Sequence, residues 1–325
     1  MESAKELKKP AKRSKHFIGL PVDRAVTKKD KKFYAINNAF LFIILLVMLF
    51  PILYLFANAL SESSAVAASA VTFFPMIRNE AGNFVFGISF EGFRSVLSNE
   101  RILTGYINTI IYTLLGTSIN MILTVLAAYP LSRSDLPGKN KIMMLFAFTM
   151  IFNGGMIPNY ILMMNLGVLN TRWAMVLPSA ISVFNLAICR TFFNRNIPNE
   201  LLEAAKIDGC SDFSFFLKVA LPLSKPVLVV LALFYAVGHW NQFFNAFLYL
   251  TDSNLFPLQI VLQDILIANT ITPEMLEGAT GNMDLNLVHV IRFAAIIVAC
   301  LPIWIVFPFL QKFFVQGVMI GSVKG

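Results

Sequence analysis

The sequence predicts an all-α, polytopic membrane protein with six transmembrane helices. Three observations carry that expectation. Apolar residues make up 57% of the 325-residue chain and charged residues only 14%, with a mean hydropathy of +0.70, whereas soluble domains carry roughly one-quarter charged residues. Helical stretches of about 20 apolar residues cross a hydrocarbon core about 30 Å thick, and six such stretches can be read along the chain. Basic residues concentrate in alternate connecting segments, as expected of a chain that crosses repeatedly. No internal duplication is evident, so one helical bundle is expected rather than two soluble domains.

The stretches run from Asn37 to Ala59, Tyr106 to Leu131, Ile142 to Leu166, Trp173 to Phe193, Val227 to Leu250 and Val290 to Phe314. Asn153-Gly154-Gly155 and Pro158 interrupt the third. It either crosses to Leu166 or stops near Met156, with an interfacial helix after it. A seventh span is not supported. The first 34 residues hold 11 Lys or Arg against 4 acids, which places the N-terminus in the cytoplasm. An even number of crossings returns the C-terminus to the same side. The inner segments then collect 21 of the 26 basic residues, among them Arg133, Lys139 and Lys141 and five between Arg190 and Lys225. The segment from Thr251 to Leu287 has no Lys or Arg but holds Asp252, Asp264, Glu274, Glu277 and Asp284, as suits an external loop. Residues 1–34 are thus a basic cytoplasmic arm, 35–315 the membrane domain and 316–325 a cytoplasmic tail.

Several function classes are excluded by what is missing. The apolar run after Lys28-Lys29-Asp30-Lys31-Lys32 is too long for a cleavable signal peptide. The net charge of +8 reflects topology and anionic lipid rather than a nucleic-acid partner. Cys189, Cys210 and Cys300 offer no disulfide framework, and His16, His239 and His289 have no ligand-like spacing. No metal site and no catalytic residues are expected. The chain has no Gly-rich phosphate loop ending in GK[ST], so it binds no cofactor and cannot hydrolyse ATP unaided. A secondary carrier would need ionisable residues deep in the bilayer. Arg190 and Arg292 instead lie near span ends, where they can snorkel.

The segment Asn199 to Pro222 is the charged exception between two apolar spans. Pro198 suits a first turn, Asn199 to Ile207 are helix formers, and Gly209 suits the position just past a helix end. Ser211 or Asp212 can cap a second short helix, which Pro222 is expected to close. Leu202, Ala205 and Ile207 give the first helix an apolar surface, Glu200, Glu203 and Lys206 are polar, and Ala204 permits close approach. That knob suits docking into a groove, although an ordinary interfacial loop would share its amphipathic character.

Glu203-Ala204-Ala205, three residues, Gly209, nine residues, Val219, one residue and Leu221-Pro222 together resemble the EAA motif of ABC importer permeases, with Val219 where that pattern most often has Ile. Tyr106-Ile107-Asn108-Thr109, the run Ala127 to Arg133 and Trp240-Asn241 resemble the carbohydrate branch of that family. The end of the chain, Phe314 to Gly325, looks like that of the smaller permease subunit of maltose-type systems. The resemblance covers about residues 35–325. It implies a type I importer in a bacterial cell membrane: two different permeases, two ATP-binding subunits that hold ATP and Mg, and an extracellular solute-binding protein. In such a system the first helix of the knob would seat in the ATPase. Glu203, Ala204, Ala205, Asp208, Gly209, Leu221 and Pro222 would form the coupling loop, while Gly321, Ser322 and Lys324 would reach the ATPase from the tail. The substrate would be an oligosaccharide, moved by alternating access.

Sugar binding needs amides or hydroxyls together with aromatic faces. Trp240, Asn241, Phe244 and Asn245 in the fifth span, with Asn153 and Tyr160 near the third, are the candidates for a substrate pathway. Packing and interhelical hydrogen bonds explain such residues equally well. Another solute, such as a peptide or polyol, and a secondary carrier are the alternatives.

Overall fold

The computed structural model describes residues 28–268 and 285–322, with side chains for 31–266 and 286–308. Two compact units divide the described residues, 28–52 and 53–322, and helix α1 (Lys28–Ala59) runs through that boundary. Three helices are long and apolar enough to cross a membrane: Lys31–Ala59, Glu100–Ser132 and Asn286–Pro308. Among the described residues three bent pairs follow, and the number is six where each pair counts as one span. They are α5 (Lys139–Ile151) with α6 (Met156–Asn165), bent by 112°; Trp173–Ser179 with α8 (Val183–Asn196), bent by 54°; and Asp212–Leu223 with α12 (Lys225–Trp240), bent by 79°.

The breaks have local causes. Gly155 has φ +86°, open only to a residue without Cβ, and the Asn153 Oδ1 accepts its N–H at 2.9 Å. In the third stretch α5 stops at Ile151 and α6 starts at Met156, so the break falls at the expected glycines. The fourth stretch begins with α7 (Trp173–Val176) and a 3₁₀ turn Leu177–Ser179 containing Pro178. It restarts where Ser182 caps α8 by accepting from the Asn185 N–H. The fifth stretch, expected to be continuous from Val227 to Leu250, also breaks: α12 stops at Trp240 and α13 (Phe244–Tyr249) follows. Nonhelical backbone inside a span survives where it lines a cavity or is buried in protein.

Helix α4 (Glu100–Ser132) is the axis of the larger unit. Asn99 caps it by accepting from the backbone of Arg101 and Ile102. Its buried residues include Asn108, Tyr112, Gly116, Asn120, Thr124, Ala128 and Ser132, one every fourth position, which places them on one face. That face is polar or small. Asn108 and Tyr112 donate to carbonyls of Asn254, Phe256 and Leu255, and Thr109 accepts the N–H of Leu258 at 2.8 Å. Gly105 and Gly116 admit α14 (Leu258–Ala268) and α12 closely. A Cβ at 105 would lie 3.1 Å from the Leu258 backbone, and one at 116 would overlap the His239 ring.

The long helix α15 (Leu285–Ser322) packs on α12 and α14 and on two short helices, α2 (Ser63–Ala67) and α3 (Glu91–Leu97). Gly92 of α3 lies against Val290. Between α2 and α3 stands a hairpin that the helical periodicity gave no reason to expect: β1 (Met76–Arg78) pairs antiparallel with β2 (Phe84–Phe86), with Ile77 opposite Val85. Gly82, at φ +84°, makes its turn.

Glu62 staples the hairpin to α2, its carboxylate accepting from the Arg78 N–H at 2.8 Å and the Ser64 hydroxyl at 2.7 Å. The Arg78 N–H first, then the Ser64 hydroxyl, holds this carboxyl below its ordinary value. A lowered value favours the charged form, so the staple is complete above the ordinary carboxylate range and is lost as pH falls through the lowered value. Hydrogen exchange, corrected for its intrinsic pH dependence, should show the hairpin amides protected at neutral pH and released below about pH 4. Undiminished protection at about pH 2 would remove Glu62 from this role.

Candidate functional site

At one end of the bundle the chain leaves α8 and forms α9 (Asn199–Ile207), with Pro198 at the N-cap. Asp208 is the C-cap and Gly209 turns with φ +77°. The Gly209 N–H bonds Lys206 O at 3.0 Å and the Cys210 N–H bonds Ala205 O at 2.8 Å, the paired bonds of a Schellman stop. Leu202 is buried and Ala205 half-buried, whereas Glu203, Ala204, Asp208 and Gly209 are exposed and Ile207 is 87% exposed. Helix α9 thus anchors on one side and offers the other. Lys206 pairs with Asp212 at 3.1 Å, and that hydrogen bond raises the lysine's pKa, bracing the turn across Gly209.

Ser211 caps α10 (Asp212–Phe215), accepting from the Ser214 N–H at 3.3 Å. The helix then widens into a π turn over Phe216–Ala220 and continues through α11 (Leu221–Leu223) to Ser224. Pro222 therefore does not close the helix as expected. It sits in the first turn of α11, where a missing N–H is tolerated, and the wider π turn before it gives its ring room. Tyr129, from α4, packs between Phe193 at 5.6 Å and Phe216 at 4.8 Å between ring centroids. Leu202, Phe215 and Phe216 join the core made with Leu131, Leu186 and Phe193.

Two arginines lock the ends of α4 and α8 together. Arg133 is 5% exposed. Its Nη2 donates to the carbonyls of Phe193 at 3.4 Å and Ile197 at 3.1 Å, the last turn of α8. In return Arg190 of α8 donates from Nε to Leu131 O at 2.9 Å, in the last turn of α4, and Lys139 donates to Arg133 O at 2.7 Å. Each helix C-terminus thus receives a cation at its last carbonyls, among them Phe193 O, which also accepts the Ile197 N–H at 3.1 Å. Ile197 stands two residues before α9, so the lock reaches the root of the exposed loop.

Deeper in the bundle, α8, α12 and the break after Trp240 wall a cavity of about 560 Å³. Polar side chains of Ser179, Ser182, Asn185, His239, Asn241, Gln242 and Asn245 line it with the rings of Phe234, Tyr235, Phe243 and Phe244. Among the described residues its lining holds no Lys, Arg, Asp or Glu. Behind the wall, Thr124 and Tyr235 share a hydrogen bond of 2.6 Å, and the Tyr235 hydroxyl accepts from the Ser182 N–H at 3.2 Å. Asn120 donates to Ser179 O, and its Oδ1 lies 2.6 Å from His239 Nε2. These bonds hold the 3₁₀ break against α4 and α12.

Residues 83–320 match the family described as the binding-protein-dependent transport system inner membrane component. The chain belongs to that family. As a permease it is similar to the LplC protein of Bacillus subtilis (strain 168), at 40% identity over 299 residues, covering 92% of this chain and 97% of that one. It is also similar to the polygalacturonan/rhamnogalacturonan transport system permease YtcP of the same organism, at 37% identity, covering 91% of this chain and 100% of that one. A crystal structure of a bacterial ABC transporter that imports the acidic polysaccharide alginate contains a chain of the same fold. Its TM-score is 0.75 at 30% identity, covering 90% of this chain and 99% of that chain.

The residues singled out at 203–209 sit together on the exposed knob, with Leu221 and Pro222 after the π turn. Of the pathway candidates, Asn241, Phe244 and Asn245 line the cavity. Trp240 stands behind it: it is 7% exposed, and its Nε1 donates to Ala299 O at 3.3 Å. Asn153 is spent on the α5–α6 break, and Tyr160 stacks on Tyr249 at 6.2 Å. Gly321 and Ser322 end α15, while Lys324, Glu274, Glu277 and Asp284 lie outside the described residues. Asn120, Ser179, Ser182 and Arg133 were missed as site residues. The polar positions every fourth residue in α4 were the signal for the first.

Proposed function

We propose that this permease is one of two membrane subunits of an ATP-driven importer of oligosaccharides in a bacterial cell membrane. Partner ATP-binding subunits would hold and hydrolyse ATP with Mg, seating the exposed face of α9 in a groove, with Gly321, Ser322 and Lys324 reaching them from the tail. Closure of that ATPase pair would draw α9 and its counterpart in the second permease together and tip the cavity from one face to the other. An extracellular solute-binding protein would load the cavity from outside. The observation that carries the substrate class is the cavity wall: amides and hydroxyls beside aromatic rings, which together pair with hydroxyl groups and cover the apolar face of a pyranose. The relatives named for polysaccharide transport support the same reading.

The test is reconstitution. Proteoliposomes holding this chain, the second permease and the ATPase should accumulate labelled oligosaccharide only with ATP and loaded binding protein. Accumulation without the ATPase would sink the reading. The proposed orientation is tested separately in a background lacking Cys189, Cys210 and Cys300. A cysteine at Ser253 should react with an impermeant thiol reagent added to intact cells, and one at Gly209 only after lysis. The reverse pattern would overturn the N-terminus-inside topology drawn from the basic residues.

A further inference from the structure

His239 lies between two side-chain amides. Asn120 gives its N–H₂ to Ser179 O, which leaves Oδ1 to accept from His239 Nε2 at 2.6 Å. The other ring nitrogen, Nδ1, is 3.2 Å from Oε1 of Gln242, which lines the cavity. With Nε2 donating, the neutral imidazole leaves Nδ1 to accept from the Gln242 N–H₂, that amide being turned over. One end of the Gln242 amide is thereby held and the other is left for the cavity. Gly116 fits the ring so closely that a Cβ there would overlap it, so the imidazole has one place to stand. An ionisable side chain buried in a membrane span, with both nitrogens committed, calls for a use.

We infer that the Asn120–His239–Gln242 chain positions an amide for a neutral, polyhydroxylated ligand, and that this wall disfavours saccharides bearing carboxylates. The inference rests on the importer reading and narrows its substrate class. A sugar hydroxyl both donates and accepts, matching an oriented amide beside Asn185, Asn241 and Asn245. A uronate carboxylate placed on the same wall would lose its hydration and meet no Lys or Arg among the described lining residues, while His239, which also lines the wall, has both ring nitrogens turned to Asn120 and Gln242. Orientation also matters. An amide free to turn pays rotamer entropy on each binding event, whereas one held by His239 has already lost it.

The experiment uses the complete complex of both permeases and the ATPase in nanodiscs, omitting the binding protein so that its own selectivity does not enter. Equilibrium binding is measured for labelled maltotriose, cellotriose and xylotriose, with trigalacturonate and triglycine as competitors. A neutral trisaccharide should bind saturably and trigalacturonate should not displace it. Gln242→Leu and His239→Gln should each weaken binding about tenfold, with assembly of each variant checked by size exclusion. The double variant should lose no more than Gln242→Leu alone, because His239 acts through Gln242. Additive losses would refute the relay, as a merely structural histidine predicts. Trigalacturonate binding as well as the neutral sugars would overturn this inference while leaving the carbohydrate importer standing. Triglycine binding with no saccharide binding, or no saturable binding of any neutral trisaccharide, would overturn the inference, and the first of these would take the carbohydrate reading with it.

Discussion

Glu203→Arg should abolish ATP-driven uptake while leaving the membrane domain folded. Glu203 is exposed on α9 beside Ala204, Asp208 and Gly209, so its replacement disturbs no packing within the chain. On the proposed function this carboxylate would meet a basic residue of the ATPase. Reversing its sign would then set two cations against each other in an interface that closes on assembly, at a cost of about 3–5 kcal/mol. That corresponds to a fall in coupled uptake of at least about 100-fold. Glu203→Gln, which keeps shape and one acceptor, should lose far less. Uptake into proteoliposomes, read beside the melting temperature of the purified complex, separates the two explanations. Normal uptake by the arginine variant would mean that α9 does not seat on an ATPase through this residue.

Arg133→Met should leave the transporter assembled but consuming more ATP for each molecule moved. Arg133 is buried, and its guanidinium joins the end of α4 to the Phe193 and Ile197 carbonyls at the root of α9. Two charge-assisted bonds are lost, partly offset because a buried cation is also removed, for a net cost of about 2–4 kcal/mol. The loss falls on the connection between the exposed knob and the axial helix, so a push on α9 is absorbed at Ile197 instead of moving α4. Arg133→Lys supplies a point charge but no planar fork, and should be intermediate. The readout is the ratio of ATP hydrolysed to sugar imported; a ratio equal to the native one would reduce Arg133 to a helix cap.

Much of this architecture was legible because it depends on local chemistry. The six apolar stretches, the limits of α9 and the stop at Gly209 follow from span length, helix propensity and the left-handed turn that only glycine takes cheaply. For α10 the sequence left Ser211 and Asp212 as alternative caps, of which Ser211 is the one found, and the third stretch breaks at the glycines that mark it. What escaped depends on distant partners. Pro222 looked like a terminator because the π turn that accommodates it is not written in propensities. The hairpin at 76–86 is too short for a period to show, although Asn79 and Gly82 mark its turn. Trp240 suggested a sugar platform, but Ala299 takes its N–H, and no local pattern announces that. Arg133 was counted as one more inner-loop charge, whereas its two acceptors come from residues some 60 positions later. Asn120 and Thr124 needed only the question of why an apolar helix keeps polar side chains four apart.

The π turn at Phe216–Ala220 makes residue number itself a structural quantity. Such a turn holds one residue more than the α-helical turn it replaces, yet it completes the same single revolution. The extra residue is therefore taken up locally, and α10 and α11 keep about the heading that unbroken α-winding would give them. Removing one residue there would let the helix relax to ordinary winding and leave Glu203 facing as it does. The same deletion in α12, where the winding is already α, would rotate everything before it by about 100° and shift it by about 1.5 Å along the axis, off the heading set by Tyr129, Phe193 and Arg133. The stretch from Gly209 to Ser224 thus carries one residue of slack, and α12 carries none.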